Sequence, residues 1–450
     1  MIALWLAIAA LVAPGISGKP GYAHPTRVDC STGARGHQIQ YLKLPIFPGL
    51  PGSPTFQLGF ERLGDWTNSR LPVLVLVPGG PGGGSIGDDP ALVRALGNPA
   101  WPRLAFDPRG MGCSPLPFSR MGEAQAHEAL ASALSANDLA RLLETLGLEH
   151  YVVAGESFGT LLATHLVAQL QHDGLPLPTA VLLDGAIGRY GELPDGANDG
   201  DVALWNRVRA QLPAQVLNRF ENDPRPWGVS RLAWGWDIRN TLEVEYSGFT
   251  AVALLLNNYK SLADENSETA RKLIARLAAW RPTQSAADFE FGGPEFYAGS
   301  VICRELDANW VLDPILTGTG LDYQGKSSDP LLRICSGQAL TRPFDSASFA
   351  LRVPLVYLQG GDDVQTSLAI ARYHFENQKQ ARRLWVEVAG SGHGVLGSNE
   401  RNWAANCGPA LAEFLKAPSE DAQTVLARQL ARCDSETTTE MSEKRMYSYR

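Results

Sequence analysis

Short apolar runs alternate with amphipathic stretches along much of the chain. The four clearest runs are residues 71–77, 103–106, 151–154 and 179–183. Runs of this length, rich in valine and leucine, are typical of strands buried on both faces of a parallel sheet. Residues 135–148 carry leucines at helical spacing, and Ser135 is the predicted N-cap of that helix. The alternation predicts a layered α/β fold with a mostly parallel sheet.

The pattern extends toward both ends of the chain. Residues 37–47 and 56–63 alternate apolar and polar positions around a turn rich in proline and glycine, which predicts an antiparallel hairpin at a sheet edge. The other predicted elements are strands at 354–358 and 384–388 and helices at 90–96, 160–171, 367–378, 409–415 and 422–431. Residues 435–450 are polar, and we expect them to fray.

Residues 186–350 interrupt the alternation of strands and helices. They contain six of the eleven tryptophans and helical patterns such as the one at 269–280. We interpret this segment as a mainly helical cap inserted into the α/β fold. The predicted organisation is a signal peptide at 1–23, the two parts of the core at 24–185 and 351–433, the cap at 186–350 and a polar tail at 434–450.

The N-terminal segment predicts export. Residues 2–13 form an uninterrupted apolar run, followed by Pro14 and Gly15. The run has the length of a signal-peptide core and is too short to span a bilayer comfortably. No lysine or arginine precedes it, so a misassigned start or an uncleaved anchor is the alternative. We expect a secreted or periplasmic protein with no membrane span after cleavage.

Cysteine usage agrees with export. The six cysteines show neither a C-x-x-C motif nor the spacing of metal ligands, and we predict no metal site. Six cysteines allow many pairings, and six reduced, buried thiols are the alternative. The favoured pairing consists of two local loops and the pair that remains, namely Cys303–Cys335, Cys407–Cys433 and Cys30–Cys113.

The net charge limits the classes of partner. The formal charge is −8 at pH 7 and the isoelectric point is near 5.6, which argues against nucleic acid and anionic membranes as partners. Hydrophobic residues make up 44% of the chain and charged residues 19%, as is ordinary for a globular protein. The search for chemistry therefore turns to individual motifs.

A G-x-S-x-G motif stands between a predicted strand and a predicted helix. Ser157 is its serine, and Gly155 and Gly159 flank it. In this context the motif predicts a nucleophile elbow, a turn so tight that side chains at the two glycines would collide with neighbouring backbone. The elbow exposes the serine hydroxyl and leaves the N–H of Phe158 free to bind an oxyanion. The alternative is an ordinary strand-to-helix turn.

A serine nucleophile requires a base and a carboxylate that orients the base. Asp362 and Asp363 follow the predicted strand at 354–358, and His393 lies in a glycine-rich loop after the strand at 384–388. The order serine, acid, histidine and the position at strand ends fit a catalytic triad. One of the two aspartates is expected to cap a helix instead, and a surface loop histidine is the alternative for His393.

The loop after the strand at 71–77 is rich in glycine. We predict that the N–H of Gly79 or Gly80 supplies the second oxyanion donor, because glycine lets the backbone approach a reacting carbonyl. A rival interpretation is a dinucleotide fingerprint made of Gly82, Gly84, Gly87 and Asp107. The fingerprint begins too far beyond the strand for the usual tight turn, and it leaves the serine, aspartate and histidine unexplained.

Several segments resemble the motif series of the prolyl iminopeptidase and tripeptidyl aminopeptidase family. They are 79–82 (GGPG), 107–114 (DPRGMGCS), 155–160 (GESFGT), 358–366 (LQGGDDVQT), 392–394 (GHG) and, similar to a cap segment of the tripeptidyl branch, 302–305 (ICRE). The resemblance implies an α/β-hydrolase fold and places the acid of the triad on Asp363. Pro78 departs from the family's usual histidine, and Ser367 departs from its usual proline.

These observations predict a serine hydrolase that uses Ser157, Asp363 and His393 without a cofactor. The resemblance implies release of residues from a peptide N-terminus, which requires a carboxylate to bind the ammonium group. The candidates for that carboxylate are Glu305, Glu192 and Glu295, each with a structural cap role as the alternative. Other possibilities are a carboxylesterase acting on a small ester or amide, and a catalytically silent binding protein. An ordinary imidazole pKa, near ~6.5, would make activity fall in mildly acidic solution.

Overall fold

Nine strands form one sheet in the computed structural model, which describes Cys30 and residues 38–67, 70–87, 91–189, 200–242, 248–280, 294–306, 341–396, 403–436 and 447–449. The strands are β1 (Gln40–Pro45), β2 (Thr55–Leu63), β3 (Val73–Val77), β4 (Arg103–Phe106), β5 (Tyr151–Glu156), β6 (Ala180–Asp184), β7 (Leu355–Gly360), β8 (Arg383–Val388) and β9 (Tyr447–Tyr449). Their order across the sheet is β1-β2-β4-β3-β5-β6-β7-β8-β9. Strands β3 to β8 are parallel, whereas β1, β2 and β9 run antiparallel to their neighbours.

Helices cover both faces of the sheet. Those of the core are α1 (Ala91–Leu96), α2 (Glu123–Ala129), α3 (Ser132–Thr145), α4 (Phe158–Asp173), α11 (Leu368–Asn377), α12 (Trp403–Lys416) and α13 (Glu420–Glu436). Because side chains alternate along a strand, Val75 packs with α3 and α4 on one face, while Leu74 packs with α1, α12 and α13 on the other. Both faces of the parallel strands are therefore buried, as their apolar sequences predict.

The segment between β6 and β7 contains the helices of the predicted cap. They are α5 (Gly200–Arg209), α6 (Ala214–Asn222), α7 (Arg231–Asn240), α8 (Gly248–Ser261), α9 (Glu268–Ala279) and α10 (Pro294–Glu305). Trp205, Trp234 and Phe220 lie in an apolar cluster that the first five of these helices form among themselves. In contrast, Tyr297 of α10 belongs to the cluster of the main core. Helix α10 thus attaches the cap to the sheet.

The predicted α/β fold is confirmed, and the structure corrects two local details. Ser135 lies inside α3, which begins at Ser132; the backbone N–H of Ser132 donates to Oε1 of Glu305 at 3.1 Å. A side chain 173 residues away therefore accepts one of the N–H groups at this helix end, and Ser135 is not its cap. Part of the predicted frayed tail forms β9, which pairs with the edge of β8. Within the described residues, we find no helix with the length and apolar character to cross a membrane.

A buried ion pair fixes the loop after β4. Both Nε and Nη2 of Arg109 donate to the carboxylate of Asp138 on α3 at 2.7 Å. Arg109 also donates through Nη1 to the carbonyls of Ile46 and Ala129, at 2.7 and 3.1 Å. The guanidinium is fully enclosed, and its donors join the hairpin, the loop and two helices.

A disulfide joins Cys30 and Cys113, with 5.5 Å between their Cα atoms, so this favoured pair is confirmed. Cys303 and Cys407 are also disulfide-bonded. Cys335 lies outside the described residues, and the side chain of Cys433 is not described, so the pairs Cys303–Cys335 and Cys407–Cys433 remain predictions. The predicted signal peptide at 1–23 lies outside the described residues as well.

Candidate active site

The carboxyl ends of the central parallel strands meet at one edge of the sheet. Ser157 follows β5, Asp184 ends β6, Asp363 follows β7 and His393 follows β8. Strand ends that are neighbours in a parallel sheet bring residues distant in sequence to a common edge, where open α/β sheets bind their ligands. The edge therefore holds a hydroxyl, an imidazole and two carboxylates. The charges of both carboxylates act on the imidazole.

Ser157 adopts the backbone conformation of a tight elbow. Its φ of 53° and ψ of −122° lie in a region that residues other than glycine rarely adopt. A Cβ at Gly155 would collide with the carbonyl of Gly159, and a Cβ at Gly159 would collide with the carbonyl of Val77. Both N–H and Oγ1 of Thr160 donate to the carbonyl of Ser157, at 2.8 and 2.6 Å. The two glycines and these hydrogen bonds hold the strained turn in place.

The carboxylate of Asp363 is bonded directly to His393. Nδ1 of His393 lies 3.1 Å from Oδ1 and 3.0 Å from Oδ2 of Asp363. The carboxylate also accepts from Thr366 through its N–H (2.9 Å) and Oγ1 (2.8 Å), from the N–H of Gln365 (2.9 Å) and from Nε2 of Gln359 (3.1 Å). Asp363 is buried and surrounded by donors, so its position and orientation are fixed.

The carboxylates at this edge change the titration of the imidazole. Burial alone would lower the pKa of His393, but the negative charges of Asp363, Glu156 and Asp184 outweigh burial and raise the pKa to about 9. Burial likewise opposes ionisation of Asp363, yet the charge and hydrogen bonds of His393 and Thr366 hold its pKa below the ordinary value. The expectation of an ordinary imidazole pKa is therefore wrong, because it ignored the neighbouring carboxylates.

Asp184 and Glu156 belong to the site and were not identified from the sequence. Asp184 is buried at the end of β6 and accepts the N–H groups of Val395 and Leu396 at 2.9 and 3.0 Å. Glu156 ends β5 and is exposed, and a Cβ on Gly394 would lie 2.8 Å from its Oε1. Asp184 is the last residue of a strand, and Asp363 and His393 follow shortly after strand ends. The position at a strand end was therefore the sequence signal from which Asp184 could have been identified.

The residues predicted to donate to the oxyanion differ in their position relative to Ser157. Phe158 is the first residue of α4, so its N–H has no acceptor within the helix. A Cβ on Gly79 would lie 3.5 Å from Cβ of Ser157, which places Gly79 beside the serine. Gly80 has a φ of 126°, and a Cβ there would lie 2.7 Å from the nitrogen of Gly82. Gly80 thus serves the turn of its own loop.

The geometry of Asp107 contradicts the dinucleotide fingerprint. Its carboxylate is buried and accepts the N–H groups of Ile86 and Cys113 at 3.2 and 2.8 Å. Burial raises its pKa to about 6, although the backbone N–H donors oppose that shift. A carboxylate that already binds two amides of its own loop does not present oxygens to the ribose of a dinucleotide. Of the fingerprint glycines, Gly84 packs against this carboxylate, since a Cβ on Gly84 would lie 2.2 Å from Oδ1 of Asp107.

Glu305 is a buried residue with partners of its own. Besides the N–H of Ser132, its Oε1 faces Nε of Arg342 at 3.8 Å. Burial raises its pKa despite these contacts. The other two candidates cannot be compared with it: Glu192 lies outside the described residues, and the side chain of Glu295 in α10 is not described.

Asp362 does not cap a helix, in contrast to the expectation for one of the two aspartates. Both of its carboxylate oxygens accept from Nη1 of Arg207 on α5, at 2.9 and 2.8 Å. The adjacent aspartates therefore have separate partners, because Asp363 binds His393 and Asp362 binds the cap. In the part of the chain that the structure describes, no group of three or more His, Cys, Asp or Glu side chains is arranged to hold a metal ion.

The fold and this site define a hydrolase of the α/β class. Residues 72–399 match the alpha/beta hydrolase fold family, and the chain belongs to this family. No curated protein matches the chain significantly.

The solved structures to which the chain is similar include the following three. A proline iminopeptidase from Mycobacterium smegmatis shares 13% identity, with 88% of this chain and 99% of that chain covered and a TM-score of 0.39. An esterase from Rhodococcus sp. shares 16% identity over 85% and 99% of the two chains, with a TM-score of 0.40. A 2-hydroxy-6-oxo-6-phenylhexa-2,4-dienoate hydrolase from Rhodococcus sp. shares 16% identity over 85% and 100%, with a TM-score of 0.42.

Proposed function

We propose that the protein is a serine hydrolase that transfers an acyl group to Ser157 and then to water. Oγ of Ser157 attacks the carbonyl carbon of the substrate while Nε2 of His393 takes its proton. The protonated imidazole then gives that proton to the leaving amine or alcohol, and the acyl-enzyme forms. A water molecule then attacks the acyl-enzyme while Nε2 of His393 takes its proton, and the imidazole returns that proton to Oγ of Ser157 as the acid leaves. Asp363 orients the imidazole throughout.

The observation that carries this proposal is the pair of hydrogen bonds between Nδ1 of His393 and Asp363, at the sheet edge where Ser157 occupies its strained turn. An imidazole held through Nδ1 has Nε2 free to act as the base. The N–H of Phe158 and that of Gly79 or Gly80 are the proposed oxyanion donors.

We infer that the substrate is a peptide with a free N-terminus. The motif series shared with prolyl iminopeptidases and tripeptidyl aminopeptidases supports this inference, as does the helical segment between β6 and β7, which can cover one side of the site. An ammonium group in such a site needs a carboxylate partner. Glu305, Glu192 and Glu295 remain the proposed candidates.

One observation favours a carboxylesterase as the second candidate. The carboxylate of Glu305 is already bonded to the N–H of Ser132 and faces the guanidinium of Arg342. An ester substrate has no ammonium group, so it does not need this carboxylate as a binding partner. The same serine, histidine and aspartate would serve both reactions.

We also propose that the protein is exported. The Cys30–Cys113 disulfide supports export, because structural disulfides persist in oxidising compartments and are rare in the cytosol. The apolar run at 2–13 is the proposed signal-peptide core. Cell fractionation of the expressing host, with N-terminal sequencing of the mature chain, tests both statements; a cytosolic protein with an intact N-terminus contradicts them.

The decisive experiment is covalent labelling with a fluorophosphonate probe, which reacts with activated serines. We expect the wild-type protein to be labelled and the Ser157→Ala variant to lose labelling, with turnover reduced by ~10³-fold or more. Ser391→Ala is the matched control, because Ser391 lies in the histidine loop at the same sheet edge, and this variant should keep its label. An unlabelled wild type refutes the proposal and favours a binding protein, whereas a labelled Ser157→Ala variant refutes the assignment of the nucleophile to Ser157.

A second assay separates the two candidate substrates. An aminoacyl arylamide is compared with its N-acetylated form and with an aryl ester of the same acyl group. An aminopeptidase should refuse the blocked arylamide, because acetylation removes the ammonium charge that its carboxylate binds. Equal cleavage of the free and blocked forms would favour the esterase.

A further inference from the structure

Asp184 contacts both catalytic segments at once. Its backbone carbonyl accepts the N–H of Ser157 at 2.8 Å. Its two carboxylate oxygens accept the N–H groups of Val395 and Leu396, at 2.9 and 3.0 Å, directly after the sequence His393-Gly394.

The position of Asp184 in the sheet makes these bonds rigid. It is the last residue of β6, which is hydrogen-bonded to β5 on one side and to β7 on the other. Asp184 as a whole residue is only 2% exposed. Hydrogen bonds from backbone N–H groups to a buried carboxylate are charge-assisted and stronger than those to a neutral acceptor.

We propose that Asp184 is a positioning residue, which fixes the loop of His393 relative to the elbow of Ser157. This inference rests on the proposed triad, because it assigns Asp184 no contact with the substrate. The reason is geometric: Nε2 of the histidine must stay within hydrogen-bond reach of the serine, and a displacement of ~1 Å in such a site can cost ~10²-fold in rate.

The protonation state of Asp184 controls the strength of this anchor. Burial and the charge of Glu156 raise its pKa to about 7, while the bonds from Leu396 and Val395 and the charge of His393 oppose the rise. A protonated carboxyl has one acceptor oxygen and one O–H donor, so it can accept only one of the two N–H groups well. The anchor is therefore complete above neutral pH and weakens as pH falls below it.

Asp184→Asn reproduces the protonated state, because the amide also offers one acceptor and one donor. With a neutral aryl ester, we expect kcat to fall ~10-fold to ~10²-fold while KM changes less than ~2-fold. The acid limb of the pH profile should also become shallower, since one ionisation is removed. A variant that keeps at least half of the wild-type kcat and the same acid limb overturns the proposal.

Asp107→Asn is the matched control for a purely structural effect. Asp107 is equally buried and accepts two backbone N–H groups, but those groups belong to Ile86 and Cys113. Replacement of Asp107 should lower the midpoint of urea unfolding. It should leave the slope and position of the acid limb of the pH profile unchanged. If it alters the acid limb as Asp184→Asn does, the effect is not specific to the histidine loop, and the proposal fails.

A second measurement covers the case in which Asp184→Asn does not fold. In Glu156→Gln the neighbouring charge is removed, so more Asp184 is ionised at about pH 6 than in the wild type. Amide hydrogen exchange of a peptide spanning 391–396 should then be slower in this variant at matched pH, and equal or faster exchange overturns the proposal. This readout needs no activity, so it remains informative even if the wild type fails to react with the fluorophosphonate and the proposed function is wrong.

Discussion

Replacing Asp363 by asparagine tests the core of the proposed mechanism. Within the described residues, the groups hydrogen-bonded to the Asp363 carboxylate in the wild type are donors, namely Nδ1 of His393, the N–H and Oγ1 of Thr366, the N–H of Gln365 and Nε2 of Gln359. An asparagine amide must turn its NH₂ group toward one of them. The imidazole can accept from this NH₂ group by moving its proton from Nδ1 to Nε2, and that change removes the base from Ser157.

The expected loss is ~10⁴-fold in kcat, the magnitude typical of a triad whose histidine is held in the wrong tautomer. At about 1.36 kcal/mol for each factor of ten, this loss corresponds to roughly 5.5 kcal/mol of transition-state stabilisation. A second effect accompanies it. Without the charge of Asp363, burial acts on His393 with less opposition, so its pKa falls from about 9.

The assay is hydrolysis of a neutral aryl ester as a function of pH, with Ser157→Ala as the blank for spontaneous hydrolysis. Protonated His393 cannot accept the serine proton, so wild-type activity should rise with pH until the imidazole, with its pKa of about 9, is deprotonated. A neutral ester is used because the ammonium group of a peptide substrate would titrate over the same range. In Asp363→Asn the limb should move to lower pH while the plateau falls.

Asp362→Asn is the control. Asp362 is the neighbouring carboxylate, but it binds Arg207 of the cap, whose side chain is 42% exposed. Loss of such a pair costs at most about 1 kcal/mol of stability, and the pH limb should not move. If Asp363→Asn keeps more than a tenth of the wild-type rate, or if its acid limb coincides with that of the wild type, the assigned role of Asp363 is wrong.

Two further predictions concern charged residues, one beside His393 and one in the buried ion pair of the core. Glu156→Gln should move the acid limb of ester hydrolysis to lower pH, because the charge of Glu156 helps to raise the pKa of His393. The shift should shrink in high salt, since Glu156 is exposed. An acid limb that does not move at low salt would contradict this prediction. Asp138→Asn should lower the free energy of unfolding by roughly 3–5 kcal/mol, because it leaves the buried guanidinium of Arg109 without its counter-charge. Urea unfolding followed by circular dichroism measures this loss, and an unchanged midpoint would refute it.

The sequence predicts the fold well where the signal is local. The run that becomes β3 is apolar throughout, and those that become β5 and β7 are apolar until Glu156 and Gln359 near their carboxyl ends. Their buried parts are apolar because both faces are covered, and this pattern needs no knowledge of distant contacts. The start of α3 shows the opposite case. The N–H of Ser132, the first residue of the helix, donates to Glu305, and no pattern near Ser132 reveals a partner 173 residues away.

The same distinction applies to the site. Ser157 and His393 could be identified because glycine-rich turns after apolar strands mark the edge of a sheet. The pKa of His393 could not be predicted from the sequence, because it depends on which carboxylates the fold brings near the imidazole. Asp184 was missed for a related reason: its sequence context resembles any strand end, and its importance appears only when the loop after β8 returns to donate two N–H groups to it.

The arrangement of negative charge gives the site a definite electrostatic character. Asp363, Asp184 and Glu156 all favour the protonated form of His393. In the proposed mechanism that form is produced when Ser157 attacks the substrate, so the three carboxylates would stabilise the transition state of acyl transfer. The same charges reduce the fraction of free base near neutral pH, because the pKa of the imidazole is raised in the resting enzyme as well. Activity should therefore be greatest in alkaline solution, where the base is free and Asp184 is ionised and anchors the histidine loop.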